Sequence, residues 1–121
     1  MLATYWNIYI VMVAFTAMGV GALAFPEKVT SQFGITALTS AGRNEVRAVY
    51  GGFGLMMGFM LYVAVANAEL RQGICLTLSA ALGGMAVGRV ISFALDRKSD
   101  LIPLTYLLLE ALLAALLLVN L

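Results

Sequence analysis

No charged side chain occurs in residues 1–26, and Pro26-Glu27-Lys28 ends that run. A helix needs about 20 mostly apolar residues to cross a hydrocarbon core of roughly 30 Å, so the run is long enough for one crossing, at about residues 3–25. A cleavable secretory signal needs a basic start, an apolar stretch of about 7–15 residues and a small-residue cleavage site. Tyr5, Trp6 and Tyr9 read instead as an aromatic anchor at a membrane interface, so this helix is expected to remain in the mature protein.

The rest of the chain continues the pattern. Residues 27–44 are the longest polar stretch, with Glu27, Lys28, Gln32 and Gly34, and Phe33 and Ile35 are suited to lie on a membrane surface. A second crossing follows at about 44–67. Glu69-Leu70-Arg71-Gln72-Gly73 then reads as a tight hairpin into a third, at about 74–95. Asp96-Arg97-Lys98-Ser99-Asp100 closes the third. The fourth spans about 101–120, with Ser99 or Asp100 as its cap and Pro103 tolerated in its first turn, where the early amides lack intrahelical partners. Short connections between successive crossings predict an all-α fold, an integral membrane four-helix up-down bundle forming one transmembrane domain over 1–121. Composition leaves no soluble alternative: 63% of residues are hydrophobic and 11% charged, against about 45–50% and about 25% in soluble domains.

In such a bundle the 27–44 and 96–100 loops share one side. They hold Lys28, Arg43, Arg97 and Lys98, with Arg47 just inside the membrane, whereas the opposite side holds Arg71 and the terminal amine. Cytoplasmic loops carry the excess of Lys and Arg, which places both charged loops in the cytoplasm and both termini outside it.

Several functions are excluded. A net charge of +1 without a basic cluster does not suit a nucleic-acid partner. One cysteine, Cys75, and no histidine leave no disulfide, thiolate-rich metal site, histidine-ligated haem or usual zinc centre. Cys75 lies in an apolar run and reads as a small buried hydrophobe. No cofactor is expected.

In lipid, helices associate through small residues that let backbones approach and through polar contacts. Steps of three and four put Arg47, Gly51, Gly54, Gly58 and Tyr62 on one face of the second helix, and Thr77, Ala81, Gly84, Gly88 and Ser92 on one face of the third. These faces are expected to pack together or against another copy, the alternative being a groove for a lipid or cofactor. Gly51-Gly52-Phe53-Gly54 lacks the strand and the spacing of a phosphate loop.

A charge inside a membrane helix costs about 2.5–3.5 kcal/mol on insertion scales, so each needs a partner or a task. Arg89 lies seven residues before Asp96 and Glu110 ten residues after Asp100, roughly 10 and 15 Å in from the same side. They are expected to pair, with Glu45, Arg47 and Asp96 as a second polar layer and the phenols of Tyr50 and Tyr106 within reach. This cluster is either an internal network that fixes helix register or a buried site for a ligand, lipid headgroup or proton.

The stretch Arg43-Asn44-Glu45-Val46-Arg47-Ala48-Val49-Tyr50-Gly51-Gly52-Phe53-Gly54, with Gly84-Met85-Ala86-Val87-Gly88-Arg89 and Pro103 and Glu110, resembles small bacterial four-helix membrane proteins grouped as domain of unknown function 4345. More distantly it resembles DoxX-type four-helix proteins, some of which are membrane subunits of quinone-linked oxidoreductases. The resemblance implies a bacterial inner-membrane location and a family motif that coincides with the polar cluster; it carries no activity.

The leading functional expectation is a non-enzymatic accessory protein or subunit, packing with itself or with a larger membrane complex among membrane lipids. The alternative is a small transporter or a lipid- or quinone-binding protein that uses the Arg/Glu cluster. Small multidrug exporters match in length and helix number, but their membrane carboxylate is in the first helix, where this chain has none. A third reading is a quinone-linked redox or isomerase-type enzyme with Glu45 or Glu110 moving a proton. No nucleophile-base pair, metal set or cofactor motif accompanies it.

Overall fold

Two side chains decide where the central helices begin. Thr39 Oγ1 accepts from the Gly42 amide at 3.0 Å, and Asn67 Oδ1 accepts from the amides of Glu69 and Leu70 at 3.0 and 3.2 Å. A short polar side chain thus replaces the partner that a first-turn amide lacks. In the computed structural model, which describes residues 2–121 and side chains from Thr4 onward, the elements are α1 (Leu2–Ala24), α2 (Pro26–Ser31), α3 (Ser40–Val46), a π-helix (Arg47–Gly52), α4 (Phe53–Ala66), α5 (Ala68–Asp96) and α6 (Leu101–Leu116). Ser40–Ala66 runs on as one rod of 27 residues. No strand occurs among the described residues.

The caps move the expected boundaries. The second and third long helices start at Ser40 and Ala68 rather than near residues 44 and 74. Glu69–Gly73, expected as a hairpin, forms the first turns of α5, and the reversal falls to Asn67 alone, with extended backbone at φ −131° and ψ 107°. The fourth helix stops at Leu116 rather than near residue 120. Its end is held from α1: Asn7 Nδ2 donates to the Leu116 carbonyl at 2.6 Å and to that of Val119 at 3.3 Å. Asn7 is only 2% exposed. Asn7→Leu removes both donors and is expected to cost about 1–3 kcal/mol. A fall of several degrees in the melting temperature of the detergent-solubilised protein checks this, and an unshifted melt would contradict it.

Three helices, Thr4–Ala24, Ser40–Ala66 and Ala68–Asp96, are long and apolar enough to cross a membrane, with mean hydropathies of 1.8, 1.7 and 1.7. α6 is apolar but has 16 residues, about 24 Å at 1.5 Å per residue.

α1 makes its most extensive contact with α4, and α5 with α6. Both pairs are antiparallel, as the approach of residues 15 and 19 to Gly54 and the Arg89–Glu110 and Ser79–Ala114 contacts require. The buried core, including Val11, Phe15, Leu61, Leu78, Leu82, Leu113 and Leu117, lies toward the Asn67 end, where the two pairs join. There Arg71 donates to the carbonyls of Ala64 and Val65 at 2.8 and 3.1 Å, under the Tyr5 ring at 4.2 Å. The guanidinium satisfies carbonyls that the end of α4 leaves without helical partners.

The glycine faces do not meet as expected. Gly51, Gly54 and Gly58 pack on α1: a Cβ on Gly54 would stand 2.8 Å from the Phe15 carbonyl oxygen and 2.9 Å from Gly19 N. One on Gly58 would run into Thr16 Oγ1. Gly19 completes the fit, since a Cβ there would stand 2.7 Å from Leu55 N. Gly84 and Gly88 have nothing within 4 Å of an added Cβ. A glycine groove takes one close neighbour, and α1, with its own glycine at the crossing, occupies that of α4. Tyr62, expected on the same face, is 55% exposed.

Candidate functional site

At the end opposite the core, Arg89 and Glu110 meet. Arg89 Nε donates to Glu110 Oε1 at 2.6 Å and Nη2 to Oε2 at 2.9 Å, a two-pronged match of guanidinium to carboxylate. The antiparallel pairing of α5 and α6 brings them together, because Arg89 is seven residues before the end of α5 and Glu110 nine after the start of α6. Glu110 is buried at 4% exposure.

Gln32 and Phe33, just past the end of α2, cover this pair. The Arg89 guanidinium lies 5.9 Å from the Phe33 ring centroid and 5.4 Å from that of Tyr106, within range of the attraction between a cation and an aromatic face. The two rings lie 5.5 Å apart, and the Tyr106 hydroxyl donates to Gln32 Oε1 at 2.8 Å. Gln32 and Phe33 therefore belong to the site, although neither is picked out by depth or helical spacing. The available signal was an aromatic in the loop on the same side as a buried cation.

The expected second layer does not assemble. Arg47 Nε donates to the Leu23 carbonyl at 3.1 Å, capping the end of α1. Glu45 is exposed on α3 and forms no side-chain hydrogen bond or ion pair among the described residues. Arg47 and Tyr50, three residues apart, part company because the π-helix intervenes. Its i→i+5 turns are wider than α-turns, so residues three apart no longer stack. Arg47 turns to α1, while Tyr50 turns to α5 and lines a cleft.

That cleft has a volume of about 460 Å³ and is lined by Tyr50 on one wall, by Gly88, Arg89, Ser92 and Asp96 of α5 on the other, and by Lys98 at the rim. Gly88 keeps it open, since no protein atom lies within 4 Å of where its Cβ would be. Charges at the site nearly cancel. Arg89 is neutralised by Glu110, and Lys98 Nζ lies 3.5 Å from Asp100 Oδ1. Asp96 has no ion-pair partner among the described residues. Arg89 Nη1 makes no hydrogen bond within the protein, and no buried side-chain polar atom lacks a partner among the described residues, so Nη1 is accessible from outside. The cleft thus offers accessible N–H donors at depth, a hydroxyl above them and a free carboxylate at its mouth. No group of three or more His, Cys, Asp or Glu side chains placed to hold a metal occurs among the described residues.

A family profile described as "Domain of unknown function (DUF4345)" matches residues 3–121. No curated protein and no solved structure gives a match.

Proposed function

The chain belongs to the DUF4345 family, and on that premise we propose that it is an integral membrane protein that holds an amphiphile in the Arg89 cleft without transforming it. The observation that carries this reading is the combination of a 460 Å³ opening with donors that the protein leaves unused, at the wall of an apolar helix. Small-molecule sites have volumes of about 300–1,000 Å³ and a few placed polar groups in apolar surroundings. Arg89 and Glu110 already satisfy one another, which suits holding a ligand better than exchanging protons with one.

In this reading the chain crosses the bilayer four times as an up-down bundle, α6 completing its crossing with the turns that follow Leu116. The location is a bacterial inner membrane. The orientation with the cleft end in the cytoplasm and both termini outside is supported by five of the seven cations, Lys28, Arg43, Arg47, Arg97 and Lys98, clustering at the cleft end. The terminal amine of Met1, counted at the opposite end, lies outside the described residues.

A second reading is favoured by one observation. Gly83 and Gly84 also have open space where a Cβ would be, on a helix whose Val87 and Ile91 are exposed, which suits a helix from another copy or from a larger complex and hence an accessory role. Mass measurement of the intact protein, released from native membranes in mild detergent, separates the two. The amphiphile reading predicts one lipid-sized adduct per chain that harsher detergent removes. A bare chain, or a stoichiometric protein partner without an adduct, contradicts it.

A further inference from the structure

One stripe of α5 changes chemistry in a definite order. Met85, Arg89, Ser92 and Asp96 all line the cleft and follow one another at steps of four, three and four, which keeps them on one face of the helix. From mid-helix to the mouth they present an apolar side chain, a guanidinium, a hydroxyl and a carboxylate. A zwitterionic aminophospholipid has the complementary order along its own length: acyl chains, phosphate, then a terminal ammonium that reaches furthest into water. Depth agrees as well. α5 has 29 residues, about 43 Å, and overshoots a hydrocarbon core of roughly 30 Å, so its ends stand among headgroups.

We propose that the cleft binds an aminophospholipid of the phosphatidylethanolamine type, with the phosphate taken by the free N–H groups of Arg89 and by Ser92, and the ammonium by Asp96. This rests on the amphiphile reading above and adds the headgroup. The charge balance selects it. With Arg89 spoken for by Glu110 and Lys98 by Asp100, the unpaired charge in the cleft is the Asp96 carboxylate. That carboxylate repels a purely anionic headgroup and attracts a terminal ammonium. Tyr50, delivered to the opposite wall by the π-helix, adds an aromatic face that is also favourable to a cation.

The test uses the full chain, stripped of lipid in detergent and titrated separately with dioleoyl-phosphatidylethanolamine, dioleoyl-phosphatidylglycerol and soluble glycerophosphoethanolamine, with bound molecules counted by native mass spectrometry. One phosphatidylethanolamine per chain is expected, with phosphatidylglycerol bound about tenfold more weakly and the chainless headgroup not retained. Asp96→Asn should remove the preference between the two lipids. Asp96 is exposed, so that variant is not expected to disturb folding. No protein atom lies within 4 Å of a Cβ added at Gly88, so Gly88→Leu should enter the cleft and abolish retention of both lipids. Gly21→Leu, also in open space but on α1, should bind like the parent. Equal binding of the two lipids by the parent chain overturns the headgroup assignment while leaving an amphiphile site standing. Retention of the chainless headgroup overturns the lipid assignment, and undiminished binding by a folded Gly88→Leu chain overturns the cleft as the site. An equal loss in Gly21→Leu does so too, because the loss would then be general. No binding of any lipid overturns the parent reading as well.

Discussion

Arg89→Leu and Glu110→Leu are each expected to lower the yield of folded protein sharply, and the double substitution to recover most of it. In the two-pronged contact at 2.6 and 2.9 Å Glu110 is buried and Arg89 only partly exposed, so Arg89→Leu strands a buried carboxylate, and Glu110→Leu leaves a guanidinium inside an apolar helix without its counter-charge. Breaking a buried pair from one side costs about 3–5 kcal/mol, whereas replacing both members with apolar residues of similar volume can be nearly neutral. Folded fraction by size exclusion, together with a thermal melt of the four proteins, gives the coupling directly. Single losses that merely add would show the residues to be independent. The recovered double variant also separates stability from binding, since it should fold and yet lose the phosphate donors of the cleft.

The second large effect is expected at the α1–α4 crossing. Gly54→Leu would place a side chain against the Phe15 carbonyl and the Gly19 backbone, neither of which can turn aside. The helices must separate, and overpacking of this kind costs about 1–3 kcal/mol or more, a fall in melting temperature of about 10 °C. A Cβ added at Gly84 has no protein atom within 4 Å, so Gly84→Leu should melt like the parent. Matching losses at both positions would mean that the α4 glycines face α5 after all, as the spacing alone suggests.

That contrast marks where the sequence stops informing. The distribution of charge makes the long apolar helices legible, because a charge-free stretch has few other uses. Counting residues inward from Asp96 and Asp100 places Arg89 and Glu110 at similar depth, and the structure joins them. What the sequence hides is lateral. Spacing identifies a glycine face but not which of several glycine-bearing helices takes it, and Gly19 settles that in favour of α1. The π-helix is equally hidden: Arg47–Gly52 carries no local signal that its turns are wider, and those wider turns are what part Arg47 from Tyr50, which α-helical spacing puts together. Asn67 is legible as a cap in kind, but the polar run after it reads as a turn, so the sequence alone puts the start of α5 six residues late. Asn7, a lone amide in an apolar helix, gave no indication that it closes the end of α6.

On the proposed topology the cleft end and the chain termini lie on opposite sides of a membrane crossed four times. Single cysteines at Thr36, Ser99 and Asn120, introduced into a Cys75→Ala background and exposed to an impermeant maleimide on intact cells, test it most directly. The cysteine at Asn120 is expected to react at once, while those at Thr36 and Ser99 react only after the membrane is opened. Reaction of the Ser99 and Asn120 positions from the same side would mean that α6 does not cross, and would contradict that topology.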